Sequence, residues 1–283
     1  MLTRRNQQLG FTLVEMIMVM VITGIIGGMV AIFIQAPVQG YINSENRAEL
    51  TDIADTAMRR MARDVRTAVP NSVRITGCVA GNPCVEFIPT KDGGRYRIAT
   101  PGNALTFGTG GSNTFDIIGT QISFAAGDYI VIGNTQSSGA AAYDVSLNGV
   151  LRKFTGTAGS QPTVTFTNTV LPAWAALASQ RFDVVDGAQQ AVTYACETDP
   201  SAAAGDGTLR LMRHWLYWTG AGTPYASYSS GGTSAILATK VSACTIGYVA
   251  ANQRYGLLTV LLTMMSNNES ISLYSEIHVN NAP

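Results

Sequence analysis

One carboxylate, Glu15, stands at the mouth of a long apolar run, "GFTLVEMIMVMVITGIIGGMV", and no lysine or arginine follows it before Arg47. An ionised carboxylate in hydrocarbon costs roughly 2.5–3.5 kcal/mol even on the gentler insertion scales, so this residue asks for a counter-ion. Cleavage after Gly10 would supply one. Phe11 would then be the new N-terminus, and its amine would lie about one helical turn before Glu15, on the same chain or on a packed neighbour.

The other residues able to do chemistry are few. Of the four cysteines, Cys78, Cys84, Cys196 and Cys244, no pair has C-x-x-C spacing, which argues against zinc or thioredoxin-type redox work. Cys78 and Cys84 bracket the turn-like "VAGNP". Three pairings are open to four cysteines. If the chain is exported, Cys78–Cys84 with Cys196–Cys244 is preferred, the second bridge being worth about 4 kcal/mol by chain entropy.

His214 and His278 are the only histidines. His278 sits in an alternating strand pattern and reads as exposed, while His214 in "RHWLYW" reads as part of aromatic packing. There is no G-x-S-x-G elbow, no H-x-x-x-H pair and no phosphate loop, since "GTGGS" at 108–112 lacks its lysine. Asp199 and Asp206 read as ordinary loop acids rather than calcium ligands. The expectation is a non-enzyme with no metal and no cofactor. Trp215, Trp218 and Tyr225 form a candidate binding loop for sugars or a protein pocket, although closing one end of a core is the favoured reading.

These residues need elements to hold them. From Met16 to Ile34 only Thr23 is neither apolar nor glycine, and Phe11–Ile34 spans about 36 Å as helix, enough to cross a bilayer. Arg4 and Arg5 before it favour a cytoplasmic N-terminus. The run is too long for a secretory signal, and "IFIQAPVQG" is a poor A-x-A cleavage site. Pro37 and Gly40 interrupt the pattern, and a bend near Ala36 is expected. Leu50, Ile53, Ala57, Met61, Val65 and Ala68 then step by three or four residues as one apolar stripe, which predicts an amphipathic helix ended by Pro70 and Asn71.

Beyond Pro70 the chain breaks into short apolar runs separated by turn residues. "VEFIPT", "YRIAT", "ALTFG", "TFDIIG", "DYIVIG", "TVTFTN", "RFDVVDG", "AVTYAC" and "TLRLMRHW" read as strands. "YGLLTVLLTMM" reads as a central buried strand and "SISLYSEIHV" as a half-buried one. "TGTAGSQP", "SAAAGDG" and "TGAGTPYASYSSGGTS" read as loops. With 18 basic and 18 acidic side chains, no patch marks a nucleic-acid surface. Arg59, Arg60, Arg63 and Arg66 alternate with Asp55 and Asp64 and read as a solvated helix face.

"GFTLVEMIMVMVITGI" resembles the class III signal of type IV prepilins and type II secretion pseudopilins. The resemblance implies a leader at 1–10 removed by a prepilin peptidase between Gly10 and Phe11, with N-methylation of Phe11. It also implies an assembly contact from Glu15 to the N-terminal amine of an adjacent subunit. Weaker blocks, "CVEFIPTKDGGRYRI", "RFDVVDGAQQAVTYAC", "GTLRLMRHW" and "EIHVNNAP", look like minor pilins of the mannose-sensitive haemagglutinin (MSHA) pilus. The architecture is also similar to J-type pseudopilins, in which "AVTYAC" and "SACTIGY" fit strands stapled by Cys196 and Cys244.

The expectation is therefore an α+β, type IV pilin-like fold. It has a leader (1–10), a transmembrane and assembly helix (11–36), an amphipathic continuation (37–69) and an extracytoplasmic β-rich, mainly antiparallel domain (70–283). The resemblance implies a single-pass inner-membrane protein with a periplasmic domain, later at the cell surface in a pilus. Its partners would be other minor and major pilins and the inner-membrane assembly platform. The expected role is a minor pilin that primes or caps a fibre. A tip adhesin or glycan-binding module, or a secretion pseudopilin at the tip, are the alternatives.

Overall fold

The computed structural model describes residues 11–75, 78, 81–136, 140–144, 148–167, 170–217, 228, 231–250 and 255–281. The chain divides into two units, residues 1–49 and 50–283.

Helix α1, Leu13–Arg66, runs through both the apolar and the amphipathic segments. Pro37 lies inside it, so helical structure continues past the expected interruption at Pro37 and Gly40, even though proline donates no hydrogen bond to the preceding turn. In the first unit the helix is long and apolar enough to cross a membrane, and none of that apolar window is buried by the chain itself.

In the second unit, Leu50, Ala54, Ala57, Met58, Met61 and Val65 of α1 are buried. The three-to-four-residue stripe read from the sequence is thus the packed face, joined by Ala54 and Met58, with Ile53 half-buried beside it. The last turn tightens, Thr67 N–H donating to Asp64 C=O and Ala68 N–H to Val65 C=O.

That face covers a six-stranded antiparallel sheet. Its strands are β1 (Cys84–Phe87), β10 (Val192–Thr198), β11 (Leu209–Trp215), β12 (Thr233–Val249), β13 (Tyr255–Ser266) and β14 (Glu269–Asn280), side by side in that order. The shared core joins the helix stripe to Val85, Tyr194, Leu211, Val260, Leu262 and Ile277. Every residue of β14 is in register with β13, from Glu269 opposite Ser266 to Asn280 opposite Tyr255.

A second sheet comprises β6 (Leu151–Lys153), β5 (Tyr129–Ile132), β9 (Arg181–Val185), β2 (Thr90–Tyr96), β3 (Thr114–Ile118) and β8 (Thr163–Thr165), in that order. Strands β4 (Ile122–Phe124) and β7 (Gly159–Gln161) form a separate ribbon. An aromatic core fills this region, with Phe115 edge-on to Phe182 and Phe124 stacked on Phe154.

Five readings of the sequence need correction. The strand expected at "YRIAT" lies earlier, over "TKDGGRY", because Thr90–Arg95 pair with β9, where Gly94 leaves room for the Phe182 ring and Ile122. "ALTFG" is not a strand; Leu105 N–H instead donates to Arg97 C=O as part of a loop. The "TGTAGSQP" loop contains β7. Strand β13 is next to the edge and buried on one face only, because α1 covers one side of the sheet and the described chain leaves the other half open. The stretch read as a loop up to Ser234 includes the first two residues of β12, Thr233 and Ser234.

Candidate functional site

The N-terminus of α1 is built by local chemistry. Thr12 sits before the first helical residue, and its Oγ1 accepts a 3.3 Å hydrogen bond from Glu15 N–H, while Thr12 C=O accepts one from Met16 N–H at 3.2 Å. Thr12-Leu13-Val14-Glu15 therefore has the spacing of a capping box, a threonine cap with an acid three residues on. An acid in the first turn also meets the positive end of the helix dipole. The cap spacing was not singled out in the sequence, although T-x-x-E before an apolar run is a signal that would have found it.

These local terms lessen the cost of Glu15 without pairing it. Its carboxylate is exposed and, among the described residues, has neither an ion-pair nor a hydrogen-bond partner. Phe11 beside it is 81% exposed. Gly10 lies outside the described residues. Further along, Thr23 Oγ1 turns back to Val19 C=O at 2.6 Å, hiding the hydroxyl from an apolar surrounding. Gly24, Gly27 and Gly28 have nothing within 4 Å of where a Cβ would stand, so no contact among the described residues requires them to be glycine.

The other candidates fall into the scaffold. His214 Nε2 lies 2.8 Å from Glu197 Oε1 without the alignment of a hydrogen bond, and its ring packs on Tyr228 at 4.6 Å. Burial lowers its pKa, opposed by Glu197. His278 is exposed on β14. Asp199 accepts from Ser201 N–H and Oγ, and Asp206 from Asn267 N–H, so both organise turns. Among the described residues no group of three or more His, Cys, Asp or Glu is arranged to hold a metal ion.

Trp215 is half-buried against the helix–sheet core, 5.0 Å from the Arg213 guanidinium. Trp218 and Tyr225 lie outside the described residues, while Tyr217 and Tyr228 of the same aromatic stretch are described and buried. Cys78 and Cys84 form a disulfide with Cα atoms 5.6 Å apart. A second disulfide joins Cys196 of β10 to Cys244 of β12, Cα atoms 6.4 Å apart, although β11 stands between those strands in the sheet order.

Sequence reasoning missed a buried acid. Glu86, on β1, is 1% exposed. Its Oε2 receives Arg74 Nε at 2.8 Å, and its Oε1 receives the hydroxyls of Tyr217 and Thr193. Arg74 in turn lies 3.7 Å over the Tyr143 ring. Burial pushes the Glu86 carboxyl up to about 7 against the pull of Arg74 and the two hydroxyls. The signal was a single acid inside an otherwise apolar four-residue run, Cys84–Phe87. A separate hollow of about 670 Å³ over β2 and β9 is lined by Lys91, Asp92, Arg95, Arg181 and Asp183. Neither histidine lines it.

Residues 5–31 match the prokaryotic N-terminal methylation motif. The match, together with one long apolar helix and an antiparallel β-rich domain, supports a type IV pilin-like protein, a pilin or pseudopilin subunit anchored in a membrane. Such a motif implies processing by a prepilin peptidase and assembly with other pilins. No curated protein and no solved structure matches the chain.

Proposed function

We propose that the chain is a minor pilin of an MSHA-like type IV pilus, a non-catalytic subunit that primes or caps fibre assembly. The observation that carries this reading is Glu15, a carboxylate with no partner among the described residues, at the head of an apolar helix that those residues leave exposed. A lone helix in lipid gains nothing from such an acid. A bundle of helices gains a charge pair if each contributes a terminal amine.

In this reading the peptidase cuts between Gly10 and Phe11 and methylates the Phe11 amine. Glu15 then receives the amine of a neighbouring subunit as the helices pack. The glycines at 24, 27 and 28 suit that packing, because small residues let helix backbones approach closely in lipid. The subunit leaves the membrane only when other helices replace lipid around its apolar face. The scattered blocks that look like the MSHA minor pilin MshO favour a pilus over a secretion apparatus, in which a J-type pseudopilin would use the same helix.

The test is mass spectrometry of N-terminal peptides from membranes and from sheared fibres. Material beginning with methylated Phe11 in the fibre fraction is expected. Recovery of chains that all still begin at Met1, in cells with an active peptidase, would overturn the reading.

A further inference from the structure

The two edges of the helix-covered sheet are treated differently. At the β1 edge, Arg74 exchanges backbone hydrogen bonds with Glu86 at 2.8 Å in both directions, and Val69 N–H donates to Ile88 C=O, so the chain leaving α1 covers it. The opposite edge is β14, twelve residues long, paired on one side with β13 and, among the described residues, with no strand on the other. In an antiparallel strand every second residue turns its N–H and C=O away from its neighbour, so β14 offers a row of such groups outward. A long open edge is a template for another strand, and folded chains usually blunt it with lysine, proline or a bulge. β14 has none of these.

Beside this edge runs a groove of about 460 Å³ between α1 and β14. Its helix wall carries Arg59, Arg63 and Arg66, spaced to share one stripe, and its strand wall carries Leu273 and Ser275. Arg59 is held by Asp55 at 2.7 Å. Arg63 and Arg66 are exposed and have no ion-pair or hydrogen-bond partner among the described residues. Among the described residues the groove therefore sets two exposed cations beside the outward edge of Ile271–Val279, which no strand pairs.

We propose that β14 and this arginine stripe form a docking edge for an extended acidic segment of another polypeptide, which joins the sheet as a seventh strand. The chemistry specifies the segment. Side chains on one face of a strand recur about every 6.7 Å, and Arg63 and Arg66 are separated by about 4.5 Å along the helix. Two carboxylates two residues apart on the helix-facing side come within reach of both guanidinium groups, because the long arginine stems span the difference of about 2 Å. The outer face of β14 presents Tyr274 and Glu276, hydrogen-bonded to each other at 2.8 Å, so the alternate residues of the incoming strand are uncharged. The proposal does not depend on the fibre reading.

The test uses the full chain in detergent micelles and a ten-residue peptide in which glutamate alternates with valine or threonine. Binding is followed by fluorescence anisotropy, and the site by backbone amide hydrogen exchange. The peptide is expected to slow exchange within Ile271–Val279 and to bind at least tenfold more weakly to the Arg63→Glu, Arg66→Glu double variant. The same peptide N-methylated at alternate amides keeps its charge but cannot pair, and its binding is expected to be lost.

Equal binding of the methylated peptide would reduce the site to charge attraction and overturn strand addition. No protection of β14 would overturn the proposal outright. Protection that rises with protein concentration without peptide would assign the edge to a second copy instead. Displacement of the peptide by anionic phospholipid vesicles, with β14 left unprotected, would assign the arginines to a lipid surface.

Discussion

Tyr194 Oη donates a 2.6 Å hydrogen bond to Asp64 Oδ2, joining β10 to the last turns of α1. Arg213 Nε reaches the same oxygen at 3.1 Å from β11. One carboxylate on the helix thus receives two strands, while the Tyr194 ring stacks on Phe87 with centroids 6.2 Å apart. Tyr194→Phe keeps the ring and removes the hydroxyl. It is expected to cost about 1–2 kcal/mol in chemical denaturation of the full chain in detergent, since a charged acceptor makes the bond stronger than a neutral one. Asp64→Ala strands both donors, and its cost should be larger.

Glu86 makes stability depend on pH with a definite sign. Its folded value of about 7 lies above the ordinary 4.5, so the folded state holds the proton more tightly. The acid's contribution to stability is fully present below about 4.5 and is lost as pH rises through about 7, with a slope of at most about 1.4 kcal/mol per pH unit. Asp183, pushed up to about 6 by burial, acts in the same direction, and His214, lowered by burial, acts oppositely. The informative quantity is the difference between wild type and Glu86→Gln, measured by denaturation from pH 4.5 to 8. The variant should lack the Glu86 slope, so wild-type stability should fall relative to it as pH rises.

The two disulfides should differ in worth. Cys196–Cys244 closes a separation of 48 residues and Cys78–Cys84 one of 6. The chain-entropy account gives about 4 kcal/mol for the first and about 2 kcal/mol for the second. Paired serine substitutions, compared by urea midpoint, should reproduce that order.

Glu15→Ala should leave cleavage after Gly10 intact and lower the amount of subunit in fibres at unchanged membrane levels. Immunoblots of sheared and membrane fractions read both quantities. Normal incorporation would remove the role proposed for the acid.

Gly28→Leu separates folding from assembly. The Cβ position is open in the chain, so domain stability should be unchanged while packing against other helices is blocked. Matched denaturation curves with reduced recovery in fibres are expected.

Sequence alone determined what is local. The apolar run, its acid and the basic leader lie within one short contiguous stretch, and the helix stripe follows from a period of three to four residues. Strand-rich character beyond Pro70 was equally legible, because alternation and turn residues act over a few positions. Tertiary structure alone decided which strands share a sheet, that "KDGG" is extended, and that β14 stands open at one edge. It also decided that Glu86 meets Tyr217, 131 residues away. Such pairings depend on long-range register and on the volume left between packed layers, neither of which any local pattern records.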